Sequence, residues 1–213
     1  MRYSKGRKRE TYDRILKAAS VQLKKNGSNG IGIANLMREA GLTHGGFYSH
    51  FRSRDDLVSK AFAIAMDQTT FRWNKLIANL PANDGLEAIV RAYLCTRHRD
   101  NPGDGCALPA FAAEMGRGDK ATRKSFSIKL EVMIDLVAAQ YTEASTGEAR
   151  ELAISAISTM MGAITLARAS AGQDLSVEIL EASTKSLTAR KARTPAAKKP
   201  DRTSPRNTSP DTP

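Results

Sequence analysis

Apolar residues recur along most of this chain at helical rather than alternating spacing. Over residues 9–26, Ile15, Leu16, Ala18, Ala19 and Leu23 share one broad face while Lys17, Lys24 and Lys25 lie elsewhere. That pattern predicts an amphipathic helix ending at Gly27. A GSNGIG connector leads to a second helix over 33–40, with Ile33, Leu36, Met37 and Ala40 in register and Gly41 as a left-handed terminator. Thr43 can cap a third, short helix that runs to about Phe51. Ser53 can cap a fourth, whose first turn holds Asp55 and Asp56, where negative charge suits the helix dipole. Further helices are expected over 56–79, 85–99, 107–115, 120–141, 148–171 and 176–191, several of them separated by turn clusters such as PANDG and DNPGDG. Strand signal is slight and no internal repeat occurs. The fold class is all-α: an N-terminal three-helix domain with its arm over 1–60 and a larger helical domain over 61–190. The stretch 191–213 is rich in Pro, Ser, Thr and basic residues, which predicts a disordered tail.

The third helix poses a question. GLTHGGFYSHF places Gly45 beside Gly46 in a helix of about nine residues, where each glycine costs roughly 1 kcal/mol relative to alanine. Phe47 and Phe51 point one way, toward the other helices; Gly45, Gly46 and Ser49 point the other, flanked by His44, Tyr48 and His50. A helix, a Gly-ended turn and a short helix form the pattern of a helix-turn-helix, whose second helix enters the DNA major groove. Bare glycines on its outer face let the backbone sit close to base edges or phosphates. The plainer reading is a Gly-Gly loop with the aromatics as a minor core.

Charge sharpens the choice. The chain of 213 residues carries 33 Lys/Arg against 22 Asp/Glu, a net +11. Residues 1–60 hold +8 of this, 61–190 hold −1 and 191–213 hold +4. A basic head on a neutral body suits a polyanion-binding module. The arm residues Arg2, Lys5, Arg7, Lys8 and Arg9 can add phosphate or minor-groove contacts, or serve as a solvated basic end. Cys95 and Cys106 make no disulfide framework and have no metal-ligand spacing. No apolar leader follows Met1, and the uncharged run 152–167 is short for a membrane span, so a soluble cytoplasmic protein is expected. GSNGIG lacks the GK[ST] of a phosphate-binding loop, and no HExxH, GxSxG or Walker motif argues for an enzyme. No metal or cofactor is expected.

Two stretches, KRETYDRILKAASVQLKKNG and IANLMREAGLTHGGFYSHFRSRDDL, are very similar to the DNA-binding domain of the tetracycline-repressor (TetR) family of bacterial regulators. The resemblance spans roughly residues 8–60. It implies that Thr43 caps the recognition helix and contacts phosphate, as do Tyr48 and His50. Arg54 would reach the DNA backbone from the next helix, and His44, Gly45 and Gly46 would lie nearest the bases. Since the glycines carry no reading group, specificity falls to neighbours such as His44 and Ser49, to backbone contacts or to DNA shape. Gly32 departs from the family's usual capping Thr, and a phosphate-contacting hydroxyl is missing there. GCALPAFAAEM also resembles a Gly-Cys stretch in one branch of the family's ligand domains.

For the body the resemblance implies dimerisation and a small-molecule effector. A wide apolar helix supports this, with Ala153, Ile157, Met160, Ile164 and Ala167 in one stripe; Val177, Leu180 and Leu187 share a face of the next helix. Together they are the expected dimer interface, as a four-helix contact; the alternative is an ordinary core helix. Phe71, Trp73, Tyr93, Phe111, Met115 and Met133 are candidates for the effector pocket or for plain core. Cys95 and Cys106 are either buried structural cysteines or oxidant sensors, since Arg97, His98 and Arg99 follow Cys95 and reactivity needs an electropositive site. The expected function is a sequence-specific regulator, a repressor on a palindromic double-stranded operator. A basic architectural DNA binder without strong sequence preference is the alternative.

Overall fold

In the computed structural model, residues 5–81 and 83–191 are described. Helix α1, Lys5–Asn26, buries Ile15, Leu16, Ala19 and Leu23, the face set by the apolar spacing. It begins four residues before the apolar pattern does, so Arg7, Lys8 and Arg9 sit on helical turns. Arg2 and the tail beyond Lys191 lie outside the described residues. The helix stops at Gly27, whose φ of 68° only glycine adopts without strain. Helix α2, Ile33–Glu39, buries Leu36 and Met37 and starts from Gly32 with no side-chain cap. It ends in a Schellman turn: Gly41 has φ 69°, its N–H reaches the Arg38 carbonyl at 2.9 Å, and the Leu42 N–H reaches that of Met37 at 2.8 Å.

The third helix is not an α-helix. Residues His44–Ser49 form a 3₁₀ segment, and the Thr43 side chain makes no capping bond. Two adjacent glycines leave too little propensity for a wider helix, and packing holds what remains. Phe47 and Phe51 are buried with ring centroids 5.4 Å apart, and Tyr12 of α1 stacks on Phe51 at 5.1 Å. Helix α3, Arg54–Ile77, follows; Ser53 caps it by accepting the Asp56 N–H at 3.1 Å, as expected. It packs along α1 and leads into the body.

The body comprises α4 Gly85–Tyr93, α5 Thr96–Asp100, α6 Leu108–Met115, α7 Lys120–Ala138, α8 Thr146–Ala169 and α9 Asp174–Lys191. The expected single helix over 85–99 breaks at Leu94 (φ −90°, ψ 63°) and extended Cys95. The break lets His98 fold back onto the Tyr93 carbonyl. No strand occurs among the described residues.

Helix α8 corrects the expected interface. Ala153, Ile157, Met160, Ile164 and Ala167 are all buried within their own subunit, so this stripe is core. Leu180 and Leu187 of α9 are buried against it in turn. Of the residues expected at the interface only Val177 stays open, 41% exposed; Ile154 at 42% and Leu166 at 60% are open on α8. Helix α8 is also long and apolar enough to cross a membrane, by length and composition alone, but it is a core helix here.

Candidate nucleic-acid interface and ligand cavity

The head presents a short outward surface. Thr43, His44, Gly45, Tyr48 and Ser49 are exposed, Tyr48 by 68%, and Gly46 is half-buried. Neither glycine has positive φ. A Cβ at Gly45 would meet nothing within 4 Å, and one at Gly46 would lie 3.6 Å from Met37 Cε, an ordinary contact. The protein's own fold therefore does not require glycine here, which leaves a demand from outside. The Ser49 hydroxyl donates to the Gly46 carbonyl at 2.7 Å. His50 is half-buried; its Nδ1 is buried without a partner, and burial, then the nearby Lys8, holds its pKa below the usual histidine value.

Lys8, Arg9, Tyr12 and Asp13 of α1 line one groove with Ser49 and His50. That basic helical edge follows from α1 starting at Lys5, which the apolar pattern missed. Arg54 is tied to the protein's own backbone. Its guanidinium donates to the Ser28 carbonyl, while the Ser28 N–H donates to the Glu114 carboxylate of α6 at 2.9 Å. Arg54 thus belongs to the seam between head and body. Phe111 and Met115 line a separate cavity of about 500 Å³ at that seam.

The second cavity, of about 320 Å³, lies in the body. Of the residues expected in a pocket, it gathers Trp73 and Tyr93; Cys95 and Cys106 line it too. Met133 is fully buried core, and Phe71 is 69% exposed. Trp73 and Tyr93 meet edge to face, centroids 5.9 Å apart. Arg72, missed in the sequence because nothing in its spacing marks it, donates from Nη2 to the Gly105 carbonyl at 3.2 Å and to Thr69 Oγ1 at 3.3 Å.

His98 fastens the cavity wall. Its Nε2 accepts the Cys106 N–H at 3.1 Å, so Nδ1 carries the proton and donates to the Tyr93 carbonyl at 2.7 Å. Burial is the main reason its pKa falls to about 4, so the ring is neutral near pH 7. Arg168 of α8 donates to the His98 and Arg99 carbonyls at 2.9 and 3.2 Å, satisfying the end of α5. Burial pushes the Cys106 thiol and the Tyr93 phenol up, so both are neutral. Cys95 donates weakly to the Ala92 carbonyl at 3.4 Å. Just before Gly105 lies the turn Pro102–Asp104, which packs on the end of α1 near Lys24 and Lys25. No group of three His, Cys, Asp or Glu among the described residues could hold a metal.

A Gly-ended turn between α2 and a short exposed helix, braced by α1, defines a helix-turn-helix DNA-binding head on an all-helical body. Residues 15–61 match the family profile described as bacterial regulatory proteins, tetR family. Similar solved structures include a TetR transcriptional regulator from Chloroflexus aurantiacus, 23% identical, with TM-score 0.72 and 87% of this chain and 96% of that one covered. They also include E. coli NemR in its reduced form, at 19% identity and TM-score 0.72, covering 84% and 96%. Bacillus subtilis FadR in complex with stearoyl-CoA is 17% identical with TM-score 0.64, covering 83% and 97%. At these identities the likeness establishes the fold. No curated protein sequence matches the chain. Residues 15–61 are thus similar to the bacterial regulatory proteins of the tetR family, and the chain shares the fold of solved TetR-type regulators.

Proposed function

We propose that the protein is a cytoplasmic, dimeric repressor that binds a palindromic operator and is released by a small molecule held in the 320 Å³ body cavity. The observation that carries the reading is the exposed face of 44–49, where glycine is not required by the protein's own packing. Tyr48 supplies a phosphate donor there, while His44 supplies the group best placed to read a base edge. The face left open by Ile154, Leu166 and Val177 is where a second copy would dock, giving two heads for two half-sites. FadR holds stearoyl-CoA, but a cavity near the small end of the ~300–1,000 Å³ range for ligand sites suits a smaller effector. A ligand that prefers the form with the heads wrongly spaced lowers operator affinity by its differential binding to the two forms.

Selection of bound sequences from a random DNA pool at about physiological salt tests this, because salt suppresses purely electrostatic binding. The expected product is a twofold-symmetric motif. Binding without any enriched sequence would replace the repressor reading with that of an architectural DNA binder.

A further inference from the structure

Resting on the effector-cavity reading above, we infer that the cavity takes a small aromatic carboxylate, its ring against Trp73 and Tyr93 and its carboxylate between Arg97 and Arg72. The first argument is charge. The charged side chains lining the cavity are Arg72, Arg97 and Asp104, two cations to one carboxylate. Behind the wall stands Arg168, whose Nη2 lies 3.3 Å from where a Gly105 Cβ would be. Lys24, 3% exposed, faces the same region from α1, near Arg72, Asp104 and Cys106. No other group there supplies negative charge: His98 is neutral, and Cys106 and Tyr93 keep their protons. Burial, and then repulsion from Arg72, depresses the Lys24 pKa, so a bound anion relieves an existing repulsion.

The second argument is the free donors. The Arg97 guanidinium has no hydrogen-bond or ion-pair partner among the described residues. Arg72 spends Nη2 on Gly105 and Thr69 and keeps its other N–H groups. A carboxylate accepts from both in charge-assisted bonds. The third is shape. Trp73 and Tyr93, crossed edge to face, give the cavity an apolar wall, with Leu76 beside it. A planar ring fits such a wall in offset or edge contact. The volume of about 320 Å³ holds one ring and a short acid arm.

Trp73 is the chain's single tryptophan, so intrinsic fluorescence of the full-length protein reads this cavity directly. Benzoate and phenylacetate are titrated against benzamide and benzylammonium, their neutral and cationic counterparts. Saturable quenching by either acid, at least about tenfold tighter than by benzamide, is expected, since a hydrogen bond to a charged group is worth about that much. Arg97→Gln, an exposed position, should abolish the difference while leaving weak benzamide binding unchanged. The proposal is overturned if benzamide or benzylammonium binds as tightly as the acids. It is equally overturned if neither acid shifts the fluorescence up to about 10 mM, or if Arg97→Gln binds them like wild type. The same acids are then added to the protein on its selected operator. Quenching without DNA release keeps the ligand class and refutes the effector role instead.

Discussion

Alanine at position 45 separates what the fold needs from what DNA needs. Its methyl would enter open space at an ordinary φ, so Gly45→Ala should raise stability by about 0.4–1 kcal/mol through the unfolded chain. The same methyl would hold the backbone off the duplex, and operator affinity should fall by about tenfold or more. Chemical denaturation and DNA-binding anisotropy on one variant check both directions. Tyr48→Ala should weaken binding to all sequences alike, because a phosphate contact carries no sequence information, whereas His44→Ala should change the preferred motif. Selection with each variant decides; two unchanged motifs and affinities would sink this placement of the recognition segment. Their exposed face was legible because apolar spacing and glycine position are local facts. Arg54 was not, since its partner, the Ser28 carbonyl, lies 26 residues away in the chain.

At the scale of elements, the break between α4 and α5 depends on one neutral ring. His98 is held near a pKa of about 4 against an ordinary 6.5, mainly by burial. A depressed folded pKa means that protons bind the unfolded chain first. The stability His98 contributes is therefore complete above pH 6.5 and drains as pH falls from 6.5 toward 4, by the order of 3 kcal/mol. Denaturation across that range should show the loss, and His98→Gln should remove this share of the pH dependence. Gly105→Ala attacks the same joint sterically, placing Cβ 2.4 Å from His98 Nε2, and should cost about 1–3 kcal/mol at any pH. Continuous helical periodicity over 85–99 concealed the break, because a side chain bonding back to the preceding helix leaves no mark in apolar spacing. The 3₁₀ form of 44–49 was hidden because six residues are too few for apolar spacing to separate a period of 3.0 from one of 3.6.

At the scale of the whole molecule, the distribution of open apolar surface decides how two copies could meet. The apolar coverage of α8 suggests burial on more than one side, but spacing alone does not tell which stripe the subunit keeps. The subunit covers Ile157 and Met160 itself and leaves Ile154 and Leu166 uncovered, with Val177 on α9. Leu166→Asp should therefore yield monomers in sedimentation experiments with helix content unchanged, and operator affinity should collapse with loss of the second head. Ile157→Asp, by contrast, should unfold the body, since it would bury an unpaired charge. The pair of outcomes distinguishes interface from core where the sequence could not.

The Ser28 peptide is gripped from both sides, its N–H by Glu114 of the body and its carbonyl by Arg54 of the head. One amide proton thus becomes a clock. While the two parts are fastened it exchanges with solvent deuterium only through their separation, and its rate records how often the seam opens. Binding that tightens the seam slows this clock; binding that prises head from body makes it run.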